Sequence, residues 1–341
     1  MIDLHPGTIE EAQALLTEGR RRLAFVGGGT AMAPPRDVDA VIHTGGLNRI
    51  VEYAATDQVV VAEAGVTLLA LQQVLGKEGQ RLALDPPFAS RATLGGIVAA
   101  NSFGPLRTRY GSVRDLIIGV SILRADGARA KGGGKVVKTV AGFDLPKLMC
   151  GSRGTLGMIA TVTFRVHPVP EHSVTIAARR LSAVGVVDLV RKLRALQLEP
   201  AAVLAVHKPD GWEVALRFEG FKAGVVQQRE KLRDLEDAPA SLWDEHLAAR
   251  GPVRFGALLT QLPQVESAFA GDDRLSWYPT LGLGFAGAAG AARPAISALG
   301  GWLLADGDWG APPASLPLHQ AMKSRLDPDR LLAPGTFIGG I

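Results

Sequence analysis

Short apolar runs broken by glycine, proline and aspartate turns fill the first half of the chain, and they predict many strands and few helices. Thr8 is placed to cap a helix over residues 9–16, with Glu10 and Glu11 in its first turn and Gly19 at its end. Strands are predicted over 22–26, 38–43, 49–54, 59–62 and 82–84. Thr67 caps a helix over 68–75, and Asp126-Gly127 forms a hairpin-like turn after a strand over 116–123. A last strong strand spans 159–166. This order is α+β and not a βαβ repeat. His167-Pro168-Val169-Pro170 then interrupts regular structure, because two prolines remove backbone donors. Beyond it follow a strand over 174–178, a helix over 183–196, strands over 202–207 and 212–218, and a helix over 224–235. Further strands over 281–285 and 301–305 flank a helix over 292–299, and a helix over 318–326 comes last. The second half predicts a small sheet with helices on one face.

Composition narrows the class. With 341 residues, 47% hydrophobic and 21% charged, the chain is an ordinary globular protein of about two domains. The net charge of +4 is spread along the sequence without a basic run, so nucleic acid is not an expected partner. One cysteine, Cys150, excludes an internal disulfide and any cysteine-held cluster within this chain, and its apolar neighbours fit a small buried hydrophobe. The first residues carry no basic, then apolar, leader pattern. The least polar window, 282–305, is mostly glycine and alanine and is broken by Arg293-Pro294, so no transmembrane segment is expected. A cytoplasmic protein is expected, or one held peripherally at the inner membrane through partners.

The candidate chemistry lies in glycine-rich turns. They are GGGT at 27–30, ATLGG at 92–96, NSFGPLRTRYG at 101–111, GGGKVVKTVAGFDLPKL at 132–148 and GSRGTLGMIATVTF at 151–164. Glycine admits positive φ and removes Cβ, so successive N–H groups can converge on phosphate oxygens. A Rossmann fingerprint fails, because Met32 stands where the third glycine belongs and prolines 34 and 35 forbid the helix. A Walker A loop fails too: Lys135 is followed by Val136, and residue 129 is arginine.

In order and spacing, these turns resemble the FAD-binding fold of the vanillyl-alcohol oxidase/p-cresol methylhydroxylase (PCMH) superfamily. The resemblance covers about residues 5–168 and the LDPDRLLAPGTF ending, where Ala333 stands in place of the family's common asparagine. It implies a PCMH-type FAD-binding domain of two α+β subdomains over 1–168, a smaller α+β cap over 169–317, and a tail over 318–341 that returns to the flavin domain. GGKVVKTVAGFDLPKLMCGSRGTLG resembles the small FAD-binding subunits of bacterial glycolate oxidases (glycolate dehydrogenases), with Thr139 for the usual asparagine and Phe143 for the usual tyrosine. That resemblance implies an FAD-dependent redox subunit that oxidises glycolate, a small 2-hydroxy acid, to glyoxylate. Electrons would pass to a larger flavin subunit and an iron–sulfur subunit. The alternative is a self-sufficient FAD-dependent alcohol or 2-hydroxy-acid dehydrogenase. The flavin reductase of cell-wall precursor synthesis is set aside, since its Tyr-Arg-x-Ser segment is missing.

The expected cofactor-binding residues are Gly27, Gly28, Gly29, Thr30, Ala92, Thr93, Gly95, Gly96, Asn101, Arg109, Gly111, Gly157 and Ile159. The resemblance implies noncovalent FAD, because Thr30 stands where covalently flavinylated relatives often place histidine. Seven scattered histidines without a His-x-His pair give no metal site. His319, near the returning tail, is a poor candidate base, and no catalytic residue is assigned.

Overall fold

A computed structural model describes residues 1–31, 33, 35, 37–134, 143–305 and 307–341. Met32, Pro34, Lys135, Val136 and Thr139, which entered the motif arguments above, lie outside the described residues. The chain forms two compact units. The first comprises Met1–Phe103, Gly111–Val169 and Pro312–Ile341, and the second comprises Gly104–Tyr110 and Pro170–Ala311.

In the first unit, β1 (Ile2–Leu4), β2 (Leu23–Val26) and β3 (Ala40–His43) form a parallel sheet in the order β1-β3-β2. Helix Ile9–Thr17 connects the first two strands. The Thr8 hydroxyl oxygen accepts from the Glu11 N–H at 3.1 Å, and Ile9, Ala12 and Leu16 supply the buried stripe that helical spacing predicts. The second sheet uses β4 (Ile50–Ala54), β5 (Val59–Glu63), β7 (Ile117–Leu123), β8 (Arg129–Gly133) and β9 (Met158–Arg165), antiparallel in the order β4-β5-β9-β7-β8. Between them in sequence, β6 (Gln80–Arg81) pairs with β10 (His167–Pro168). The strand expected over 82–84 is therefore displaced. Leu82 and Leu84 are buried, and the Leu82 backbone is satisfied by Gln72, which donates to its carbonyl at 2.7 Å and accepts from its N–H at 3.0 Å.

The second unit holds one antiparallel sheet of eight strands, larger than the small sheet expected. These are β11 (His172–Leu181), β12 (Ala202–Lys208), β13 (Gly211–Gly220), β14 (Glu236–Asp237), β15 (Val253–Gly256), β16 (Ser276–Tyr278), β17 (Leu283–Ala286) and β18 (Trp302–Leu304), in the order β14-β11-β13-β12-β16-β17-β15-β18. Helices Ala183–Ala195, Leu262–Ala268 and Ala292–Ala298 share a core with one face of the sheet, around Trp212, Phe218, Phe255 and Trp277. The opposite face is not bare. Helix Ser241–Ala249 sends Trp243 to the Thr175 hydroxyl (3.0 Å) and His246 to the Tyr278 hydroxyl (2.9 Å), so helices serve both faces.

Candidate functional site

The turn that follows β2 and the turn that opens helix Leu94–Ala100 lie directly against each other. A Cβ on Gly27 would sit 2.0 Å from the Thr93 hydroxyl oxygen, and one on Gly28 would sit 1.7 Å from the Arg91 carbonyl oxygen. The Arg91 guanidinium donates to the Gly28 carbonyl at 3.2 Å. Two of the three glycines are therefore demanded by loop-on-loop packing, a role that sequence reasoning had given to phosphate approach. Gly29 is different: its φ is +62° and nothing lies within 4 Å of its missing Cβ, so its bare backbone faces open space. Thr93 caps the helix by accepting from the Gly96 N–H at 3.3 Å, which leaves its own hydroxyl proton to donate. Behind it, Gly95 packs on Ala64, 2.7 Å from where its Cβ would meet the alanine methyl, and donates to the Ala64 carbonyl at 2.8 Å.

These turns line a common cavity. Gly27, Gly28, Gly29, Thr30, Thr93, Gly95, Gly96, Gly157 and Ile159 all border it. Ala333 and Thr336 close it from the C-terminal tail. The tail is held as an added strand-like segment: Leu23 donates to Leu331 and Ala333 donates to Leu23, each at 2.7 Å. No histidine, cysteine or tyrosine borders the cavity among the described residues.

Four expected residues are not brought to its lining. Ala92 is buried and spends its backbone internally, donating to Phe88 at 2.7 Å and accepting from Leu68 at 2.9 Å. Asn101 ends helix Leu94–Ala100 in the left-handed conformation (φ 47°), and its side-chain oxygen is buried without a hydrogen-bond partner among the described residues. Gly111 (φ +81°) makes room for Asp115, whose carboxylate accepts from the Ser112 N–H at 2.7 Å. The Arg109 guanidinium donates to the Glu219 carbonyl at 2.8 Å, within the second unit.

Arg153 was missed from sequence, although it borders the cavity. Cys150 is half-buried, and its thiol is pushed up to about 12 by burial, so it stays protonated. His319 lies tilted beside Phe337 with ring centroids 5.5 Å apart and does not border the cavity.

The cavity suits a dinucleotide. Bare backbone faces it at Gly29, Thr93 offers a hydroxyl donor, and its walls are otherwise largely apolar. Residues 3–132 match the FAD binding domain family. A solved structure of alkyldihydroxyacetonephosphate synthase superimposes on 97% of this chain and 75% of its own, with a TM-score of 0.74 at 18% identity, a likeness of fold. Residues 3–132 thus form an FAD-binding domain, and the chain is an FAD-dependent oxidoreductase with FAD as its cofactor.

Within that class it is similar, along nearly its whole length, to glycolate oxidase subunit GlcE of Escherichia coli (strain K12), at 29% identity over 96% of this chain and 93% of that one. Glycolate oxidase subunit GlcD of Bacillus subtilis (strain 168) is 29% identical over 60% of this chain and 45% of its own. The mitochondrial D-lactate dehydrogenase (cytochrome) of Arabidopsis thaliana is 35% identical over 38% of this chain and 22% of its own. The chain spans almost all of the first relative and less than half of the other two.

Proposed function

We propose that this chain is the small FAD-binding redox subunit of a glycolate-oxidising complex, working with a larger flavin subunit and an iron–sulfur subunit. The reaction served is glycolate to glyoxylate, with two electrons and two protons released and the electrons carried onward by the partners. The observation that carries this reading is the near end-to-end similarity to GlcE, set against a shorter overlap with GlcD and the D-lactate dehydrogenase. Cavity chemistry supports a subunit role: no histidine, tyrosine or carboxylate borders it among the described residues to take the hydroxyl proton. Bound FAD supplies reversible two-electron acceptance.

In this reading Gly29 and Gly96 present backbone to the cofactor, and Thr93 donates its hydroxyl. Gly157 and Ile159 form the far wall, while Ala333 and Thr336 exclude water from the tail side. Asn101, with its buried side-chain oxygen unpaired, remains a candidate contact. Arg109, Ala92 and Gly111 act by shaping the surrounding turns. FAD is held noncovalently, so acid precipitation of the purified chain is expected to leave the yellow colour in the supernatant. Colour retained in the pellet would overturn noncovalent binding.

Anaerobic addition of glycolate tests the reaction. The flavin of the isolated chain is expected to stay oxidised and to bleach once the partner subunits are present. Bleaching in the isolated chain would instead favour a self-sufficient hydroxy-acid dehydrogenase.

A further inference from the structure

A second cavity lies between the eight-stranded sheet and helix Ser241–Ala249, and every residue that lines it belongs to the second unit. Strand alternation sets its floor. Val203 and Ala205 of β12, Val214 of β13 and Trp277 of β16 point into the core around Trp212 and Phe255. Leu204, Val206, Lys208, Ala215 and Ser276 therefore turn to the other face, where all five line the cavity. Val206 and Ser276 are partners across the β12–β16 ladder, so their side chains stand side by side. With Leu242 of the helix, the aliphatic residues give an apolar floor to a cavity of about 370 Å³, the size of a small-molecule site.

Positive charge gathers around it. The Arg274 guanidinium donates to the Ala249 and Arg250 carbonyls at the end of the helix, each at 2.9 Å. The Arg250 guanidinium donates to the Tyr278 hydroxyl at 3.4 Å, the same hydroxyl that bonds His246 at 2.9 Å. The Lys208 ammonium has no hydrogen bond or ion pair among the described residues. Burial first, and then the Arg250 and Lys208 charges, hold the pKa of His246 down at about 3, so both cations act on one buried ring. Arg179 is already engaged by Glu213 at 3.0 Å and by Glu236. Taken together, the lining carries four cations (Arg179, Lys208, Arg250, Arg274) against three carboxylates (Glu213, Glu245, Asp273), a surplus of one.

Ser276 sits between these cations. Tyr278, which holds Arg250, lies two residues on along β16, and Lys208 lies two residues on from Val206, its ladder partner. Ser276 is 2% exposed, and its hydroxyl oxygen is buried without a hydrogen-bond partner among the described residues. Such a group costs about 1–3 kcal/mol if it stays unsatisfied, so it calls for an occupant. A surplus of one positive charge fits a monoanion, and the apolar floor fits a hydrocarbon body where phosphate would leave oxygens without partners.

We propose that this cavity binds a small aliphatic monocarboxylate, its carboxylate held by Lys208, Arg250 and the Ser276 hydroxyl and its hydrocarbon body laid on Leu204, Val206, Ala215 and Leu242.

Calorimetric titration of the FAD-loaded full chain with hexanoate, hexylamine and inorganic phosphate tests the assignment. Hexanoate is expected to bind saturably and more tightly than either of the others. Ser276→Ala should lower its affinity roughly 10-fold, the loss of a hydrogen bond to a charged group. The same variant without ligand should keep its urea midpoint or raise it, because a buried hydroxyl without a partner has been removed. Lys208→Gln, at an exposed position, should weaken hexanoate roughly 2- to 5-fold, the span of an exposed ion pair, and flatten its dependence on salt. No saturable hexanoate binding would overturn the site, as would hexylamine binding equally well or affinity that neither substitution lowers. A lower urea midpoint for unliganded Ser276→Ala would assign its hydroxyl to the fold and overturn its part in binding.

Discussion

A methyl group at residue 28 would land 1.7 Å from the Arg91 carbonyl oxygen, a backbone atom with nowhere to go, whereas one at residue 29 meets nothing within 4 Å. Neighbouring glycines therefore make opposite predictions. Gly28→Ala is expected to push the two turns apart and release FAD, with a loss of folding stability of about 3 kcal/mol, in the range for overpacking. Gly29→Ala meets only the penalty of φ +62°, about 1 kcal/mol, and should keep its flavin. Flavin content after gel filtration, with the urea midpoint of each variant, decides the matter; equal effects at the two positions would defeat the loop-packing account. The sequence shows the glycine run and leads to the expectation of a site there, but not the division of packing roles inside it. That division depends on Thr93 and Arg91, more than sixty residues away in the chain. The same limit hid Arg153, whose backbone donates to Ala99 and whose neighbour Gly154 packs on Phe25 and Ala333.

At the scale of elements, the C-terminal segment is anchored by one buried ion pair. The Lys323 ammonium, at the end of helix Leu316–Leu326, donates to Asp327 (2.6 Å), to the Thr155 carbonyl (2.8 Å) and to the Leu332 carbonyl (2.8 Å). Asp327 in turn accepts from the Leu331 and Leu332 N–H groups at 3.0 and 2.8 Å. Both side chains are almost fully buried, so removing one partner strands the other. Asp327→Ala is expected to cost about 3–5 kcal/mol and to lower the temperature at which FAD is released, because Ala333 and Thr336 ride on the same segment. An unfolding midpoint equal to that of the unaltered chain would refute the anchor. The DP…PG ending reads in the sequence as an expected returning tail. Lys323, however, reads in sequence as one more basic residue in a helix, since burial of a lysine is a tertiary fact. Elements with strong local signals were equally legible: the Thr67 cap does accept from Ala70 at the head of helix Leu68–Gly76. Helix Leu94–Ala100 was disguised by Gly95-Gly96, which lower intrinsic propensity and are tolerated here for their close contacts. Strands β15 and β16 are only a few residues long and exist through distant pairing, so no local pattern announces them.

Over the whole molecule, each unit holds a histidine that resists protonation, half-buried in the first unit and buried in the second, and these shape the response to acid. His246, in the second unit, has its pKa pushed down to about 3, first by burial and then by the Arg250 and Lys208 charges. His167, in the first, falls to about 4, by burial and then by Arg165 and Arg81. An unfolded chain takes up these protons near the ordinary value of 6.5, while the native protein does not. Between those values the unfolded state binds more protons, so stability rises with pH and is lost as pH falls below about 6.5. For His246 the loss by pH 4.5 is about 2–3 kcal/mol, at about 1.4 kcal/mol for each unit of pH below 6.5. His246→Gln keeps a polar group within reach of the Tyr278 hydroxyl and removes the titration. Its urea midpoint is expected to be lower than that of the unaltered chain at pH 7.5 and to converge on it toward pH 4.5. Carboxylates that titrate in the same interval affect both proteins equally and cancel in the difference. A constant gap between the two midpoints across that range would mean that His246 takes up its proton at the same pH in the native and unfolded states. The burial given to it by helix Ser241–Ala249 would then have to be weaker than the structure places it.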